Sequence, residues 1–195
     1  HFDTNLVAVN DEVIAQLRAT GAKVDLALSN RVEASRDWWP LIMTRASSAQ
    51  IGQIASAVVS PTTTEQVAAI LRLCNENNIP VTAAAGRSGV VGGSIPLFGG
   101  VLLDLCGLSG IHSVDTNSGI VDVGAGMFGD VFEDELQSEY GLTVGHWPQS
   151  IALSTIGGWL ACRGAGQLSN RYGKIEDIVI GLDVVFADGT IVHTG

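Results

Sequence analysis

The chain has 195 residues, 46% hydrophobic and 15% charged, with a mean hydropathy of +0.32. That suffices for one domain with a real core, or one domain plus an extension. Twenty acidic against 10 basic side chains give a net charge of −10 with no basic stripe, which argues against nucleic acid as a partner, and no apolar run is long enough to suggest a transmembrane segment.

The start at His1 has no basic stretch followed by an apolar one, so no signal peptide is expected, and a cytoplasmic location follows as the expectation. The chain also lacks an initiator Met and reads as a processed or excised piece. Asn10 to Thr20 is the first predicted helix: Asn10 can cap it, Val13, Ile14 and Leu17 form one face, and Gly21 can end it. Residues 22 to 50 are polar and irregular, with Ser35-Arg36-Asp37-Trp38-Trp39-Pro40 inside, so residues 1 to 50 are expected to be a lead-in segment and 51 to 195 the main domain. Ile54 to Ser60 reads as a strand. A helix should then start in Pro61-Thr62-Thr63-Thr64-Glu65-Gln66, where Thr62 with Glu65, or Thr63 with Gln66, makes a capping box. Val67, Ile70, Leu71 and Cys74 share its apolar face, and Pro80 forbids its continuation.

Val81 to Ala85 is the next strand and runs into a glycine-rich loop, Gly86 to Ser94. Short strands are expected at Val101 to Asp104, Ile111 to Asp115 and Ile120 to Val123, paired antiparallel. Phe128 to Glu139 is predicted helical with Val131, Phe132, Leu136 and Tyr140 on its apolar face, a strand at Leu142 to Gly145 follows, and Ser154 to Ala161 is a second helix. Asp188-Gly189 between Val179–Phe186 and Thr190–His193 is a two-residue hairpin signal. The order predicts an α+β fold: a small βαβ subdomain, then a mainly antiparallel sheet with flanking helices.

Pro148 to Gly173 packs five glycines, three serines, a threonine and a proline into 26 residues, so it offers many backbone N–H groups and hydroxyls with few side chains in the way. A phosphate or pyrophosphate needs such donors at close range. Taken alone, Gly86 to Ser94 could equally be a plain glycine turn, and it lacks the Gly-Lys-Ser/Thr of an ATP-binding loop. Together the two segments point to one large anionic cofactor held between them. Gly124-Ala-Gly-Met-Phe-Gly129 spells G-x-G-x-x-G, but no acid closes the following strand to hold a ribose, so a tight strand-to-helix turn is the preferred reading over a dinucleotide site. The four histidines show no metal-binding spacing; His146 could line a cofactor edge, although a structural role is preferred. Asp130, Glu133, Asp134 and Glu135 read as a solvated helix edge. Cys74, Cys106 and Cys162 read as buried reduced thiols.

Four stretches together resemble the FAD-binding (PCMH-type) domain of the vanillyl-alcohol oxidase / p-cresol methylhydroxylase flavoproteins. They are Ser60 to Pro80, Gly86 to Ser94, Ser154-Thr-Ile-Gly-Gly158, and Asn170 to Asp177 leading to Gly181–Gly189. His146-Trp-Pro-Gln-Ser150 with Trp159, Arg163 and Tyr172-Gly-Lys-Ile-Glu-Asp177 is most similar to the alkyldihydroxyacetonephosphate synthase branch, with the glycolate oxidase D-subunit and D-lactate dehydrogenase branches close behind. Ser35 to Pro40 resembles the short segment that precedes the flavin domain in the synthase-like branch.

The resemblance implies FAD as cofactor. Gly86, Arg87, Ser88, Gly89, Val90, Val91 and Gly92 would wrap the pyrophosphate. Gln149 to Thr155, Ser150 among them, would run along the flavin and ribityl chain, with Ser154 and Thr155 near the pyrophosphate. Gly157 would allow close approach there, and Gly158 would belong to the same cofactor site. Ala161, Cys162, Arg163 and Gly164 would extend that wall, and Ile178 and Val179 would meet the adenine. Where family members that tether the flavin carry a histidine in the first loop, this chain has Arg87 and Ser88, so dissociable FAD is expected. The later flavin segment, the substrate-binding cap and the C-terminal catalytic residues of the family do not occur before Gly195, so no catalytic acid or base is assigned. The implied activity is that of an FAD-dependent oxidoreductase acting on a small molecule such as a 2-hydroxy acid. The alternatives are a synthase-like flavoenzyme of ether-lipid synthesis and an inert piece that does not retain FAD. A homodimer is left open.

Overall fold

The computed structural model describes residues 5–195, so His1 lies outside the described residues. The first helix, α1 (Asp11–Ala19), is capped by the Asn10 side chain, which accepts from the Val13 N–H at 2.9 Å. Val13, Ile14 and Leu17 are its buried face. Residues 22 to 50 are more ordered than their polarity suggests: strand β1 (Lys23–Asp25) and helices α2 (Leu28–Ala34) and α3 (Pro40–Ser47) lie here. Pro40 starts α3 at the position where a missing N–H costs nothing. Strand β2 (Ala57–Ser60) leads to helix α4 (Thr64–Glu76), capped by the Thr63 hydroxyl accepting from the Gln66 N–H at 3.2 Å. The return bond of the capping box reaches one residue further out, with the Gln66 side-chain oxygen accepting from the Thr62 N–H at 2.8 Å.

Strands β3 (Val81–Ala84) and β4 (Val101–Asp104) complete a four-stranded sheet in the order β1-β2-β4-β3. Only β1 is antiparallel; β4 runs parallel to both β2 and β3, which corrects the antiparallel expectation for this strand. The physical reason is that Val101, Leu102 and Leu103 are buried on both faces of the sheet, as central parallel strands are. Alternation along the strands divides the core. Ala57, Val59, Val101 and Leu103 meet Val13, Ile14 and Leu17 of α1 and Val67, Ile70 and Cys74 of α4 on one face, while Val58, Leu102 and Ala84 meet Ala34 and Ala55 on the other.

The second half is built on two separate antiparallel ladders, β5 (Ile111–Asp115) with β6 (Ile120–Val123) and, at the end, β7 (Leu182–Val185) with β8 (Ile191–Thr194). Between them lie α5 (Gly129–Glu135), which continues as a π-helical turn at Leu136–Tyr140, then α6 (Ile156–Ala161) and the short α7 (Ser169–Tyr172) and α8 (Ile175–Ile178). Met127, Phe132, Leu136, Ile156, Trp159 and Ile175 form their core. Val131 and Tyr140 are exposed, against expectation: Phe132 and Leu136, four residues apart, face inward, and Val131 is one residue out of phase. No strand forms at Leu142 to Gly145. Helix α6 begins after Thr155, because Ser154 and Thr155 are extended and Thr155 bridges Phe128.

Glu133 corrects the solvated-edge reading. It is 3% exposed, and its carboxyl oxygens accept from Gln137 Nε2 (2.6 Å), Thr143 Oγ1 (2.6 Å) and the Val144 N–H (2.9 Å), so it pins the chain after α5 to the helix. The final hairpin forms, but with a three-residue loop. The Phe186 N–H donates to Thr190 O, and of Ala187, Asp188 and Gly189 only Gly189 has positive φ, as a type I turn closed by a glycine bulge requires. Among the described residues no helix is long and apolar enough to cross a membrane.

Candidate functional site

The first glycine loop leaves the C-terminal end of β3, beside the end of the central strand β4, where open parallel sheets offer a crevice to ligands. Its decisive property is what its backbone does not do. Among the described residues, the N–H groups of residues 87–91 donate no hydrogen bond. Five consecutive N–H donors are left for a ligand or water, which is the form an anion-binding concavity takes. Val90 and Val91 are exposed beside them. A Cβ on Gly89 would meet nothing closer than an Asp37 oxygen at 3.6 Å, so the approach to the loop there is open. Gly92 differs from its neighbours because its N–H already donates to Asp37 Oδ2 at 2.9 Å. Arg87 adopts a left-handed backbone, φ 53°, which costs a non-glycine residue about 1–2 kcal/mol. Arg87 lines a cavity of about 240 Å³ with Lys23 and Asp104, and no residue of the second glycine segment is among its lining.

The two segments meet at Gly86, where a Cβ would lie 2.3 Å from the Leu153 carbonyl oxygen and 3.1 Å from the Ser154 Cα, so only glycine permits the contact. Beyond it, Gln149 is exposed and Ser150 half-buried. The Ser154 hydroxyl is committed within the segment, donating to Ser150 O at 2.7 Å and accepting from Trp159 Nε1 at 2.7 Å. The neighbouring Thr155 hydroxyl is buried with no hydrogen-bond partner among the described residues. Gly157 donates to Ala125 O at 2.8 Å, and a Cβ there would stand 2.9 Å from the Ala125 Cβ, so its role is packing; Gly158 is exposed.

Ala161, Cys162 and Arg163 continue on the surface, with Arg163 held in a left-handed turn and paired to Glu176 by two hydrogen bonds of 2.9 and 2.7 Å. That guanidinium keeps the Glu176 carboxyl below its usual range. Gly164 packs on the His146 ring, and its carbonyl accepts from the Ile175 N–H, which ties the start of α8 to this segment; Ile178 ends that helix and Val179 follows it. The structure thus joins loop 86–92 to the 149–158 segment at Gly86, and 161–164 to the start of α8 at Gly164, while no hydrogen bond ties Ile178 or Val179 to the glycine segments among the described residues.

His146 lies beneath this wall, fully buried, edge-on to Trp159 at 4.8 Å between ring centres, with neither ring nitrogen paired among the described residues. Burial lowers its pKa below the ordinary 6.5, so the ring is neutral at pH 7. The cysteines divide, correcting the uniform reading. Cys74 is buried, and burial pushes its thiol up to about 11. Cys106 is half-buried and pushed up to about 12, chiefly by burial and then by the charge of Asp104. Cys162 is exposed.

The G-x-G-x-x-G stretch is a packed turn. Cβ atoms on Gly124, Gly126 and Gly129 would lie 2.3 Å from Leu108 O, 2.0 Å from Leu105 O and 2.2 Å from the Trp159 ring, so all three glycines are spent on the protein itself. Sequence reasoning gave Asp37 no contact with the first loop; it was visible only as one letter of the Ser35–Pro40 stretch, and its loop partner Gly92 lies 55 positions along the chain.

Comparison with known proteins agrees with this geometry. Residues 55–195 match the FAD binding domain family. The alkyldihydroxyacetonephosphate synthase of Trypanosoma brucei brucei is 32% identical over 161 residues, covering 80% of this chain and 25% of its own length. The D-lactate dehydrogenase of Anaerostipes hadrus is 35% identical over 139 residues, covering 71% of this chain and 29% of its own. A solved alkyldihydroxyacetonephosphate synthase superposes with a TM-score of 0.87 at 24% identity, over 96% of this chain and 34% of that one, which shows the fold. The chain therefore spans about a quarter to a third of the proteins it matches. A run of unpaired loop amides meeting a second glycine segment, on a fold shared with flavoproteins and a sequence that matches their cofactor domain, places the chain in the FAD-binding domain family, with FAD as its cofactor.

Proposed function

We propose that this chain binds FAD non-covalently across the two glycine segments and is the cofactor-holding part of an oxidoreductase that acts on a 2-hydroxy acid. The unpaired N–H groups of residues 87–91 carry the reading. In this role they donate to the pyrophosphate oxygens, with Gly89 leaving room for close approach and the Thr155 hydroxyl adding a donor on the facing segment. Bound FAD supplies a two-electron acceptor, which the protein itself lacks. Binding, orientation and exclusion of water are the tasks left to residues 86–92 and 149–164. Non-covalent binding takes support from Arg87 and Ser88, neither of which offers the imidazole of a histidine tether at this loop.

The 2-hydroxy-acid reading takes support from the similarity to a D-lactate dehydrogenase. A second reading, a synthase-like enzyme of ether-lipid formation, takes support from the T. brucei synthase, whose similarity covers more of this chain. The cofactor half is tested by mixing the purified chain with FAD and passing it through gel filtration. Flavin absorbance travelling with the protein supports the proposal; a colourless protein peak contradicts retention by this chain. In a protein that also carries the remainder of the relatives' length, reduction of the bound flavin by D-lactate would favour the 2-hydroxy-acid reading, whereas release of a fatty acid with formation of the alkyl ether from acyl-dihydroxyacetone phosphate and a fatty alcohol would favour the synthase-like one.

A further inference from the structure

We infer that Asp37 is a positioning residue for the FAD site, bracing the first glycine loop from outside it; this rests on the reading that residues 87–91 hold the pyrophosphate. Asp37 is 1% exposed and precedes α3. Its Oδ2 accepts from the Gly92 N–H at 2.9 Å, and its Oδ1 accepts from the Trp39 N–H at 2.9 Å. The Trp38 N–H donates to Gly89 O, also at 2.9 Å. The Trp39 ring lies against Gly92, where a Cβ would come within 3.1 Å of it. Three successive residues thus hold the loop at Gly89 and Gly92, on either side of Val90 and Val91.

The need for a brace follows from the loop's composition. Gly86, Gly89, Gly92 and Gly93 leave it with more backbone freedom than any other residue type would. A ligand that had to order such a loop on binding would lose affinity by the entropy of fixing it. Asp37 settles the question before the ligand arrives. It also decides which amides remain: by accepting from Gly92 it removes that donor and leaves 87–91 as the available run.

The test compares Asp37→Asn with Ser35→Ala. Asparagine keeps the shape but turns an NH2 group toward one of the two N–H donors, so one hydrogen bond is lost. Ser35 anchors the same segment to β2's approach, its hydroxyl accepting from the Ala55 N–H at 3.0 Å, without touching the loop. FAD dissociation constants are measured by flavin fluorescence, and amide hydrogen exchange is followed across residues 86–93 of the ligand-free chain. Asp37→Asn should weaken FAD about tenfold and speed exchange at Gly92, while Ser35→Ala does neither. Equal weakening by both variants would make Asp37 a mere anchor of its segment, and unchanged affinity and exchange in Asp37→Asn would remove it from the site; either overturns the inference. Should the unmodified chain fail to bind FAD, the cofactor proposal fails separately, and loop exchange in the two variants alone decides whether Asp37 braces the loop.

Discussion

Two glycine-rich turns, residues 86–92 and 124–129, look alike in sequence and are opposites in the structure. Both follow a strand. In the second, each glycine is pressed against a carbonyl or an indole ring of the same chain, and Gly124 and Gly126 donate to Gly110 O and Leu108 O. In the first, Gly86 and Gly92 at its two ends are packed against the chain, but Gly89 between them is open and five successive N–H groups are unpaired among the described residues. Glycine spacing therefore marks only where the backbone comes close to something. Whether that something is the protein or a ligand is decided by which donors are already spent.

The sharpest way to break this contrast is to put a side chain at each. Gly126→Val should fail through the fold, because its Cβ overlaps Leu105 O at 2.0 Å; a loss of about 3 kcal/mol or more is expected in denaturant unfolding. Gly89→Val should unfold at the same denaturant concentration as the unmodified chain but bind FAD about tenfold or more weakly, since only the ligand's approach is blocked. A Gly89→Val protein that lost stability as Gly126→Val does would abolish the distinction.

Support around the spent turn can be tested next. Glu133→Ala removes the acceptor for Thr143, Val144 and Gln137 behind α5 and should cost about 2 kcal/mol or more, read by urea unfolding. A smaller effect is expected from acid. Burial holds His146 below 6.5, so above that pH folded and unfolded forms are both neutral and stability is level. As pH falls below 6.5 the unfolded ring takes up a proton first, and stability declines by at most about 1.4 kcal/mol per pH unit until the folded ring protonates as well. His146→Phe should flatten the melting temperature across this window. The mildest prediction concerns Cys162, the exposed thiol of the wall 161–164: it should react with a disulfide reagent in the native protein while Cys74 does not, and FAD should slow it.

Much of this was legible. The three short strands from Val101 to Val123 and the caps at Asn10 and Thr63 depend on local patterns, and they sit where those patterns put them. The fold class and the flavin family were readable because four motifs had to coincide. What was hidden is non-local. The parallel placement of β4 between β2 and β3 depends on burial from both sides, and nothing adjacent to Val101 announces that. Glu133 looks like its solvated neighbours until Thr143 and Val144 fold back onto it. Asp37 stands in a polar stretch, and its partner Gly92 is 55 positions away.

The most direct test of the central claim is a two-dimensional amide spectrum of the chain titrated with FAD. The N–H signals of residues 87–91 should move progressively with added FAD while those of Gly124, Gly126 and Gly129 stay in place. Movement at residues 124–129 with residues 87–91 unchanged would contradict it.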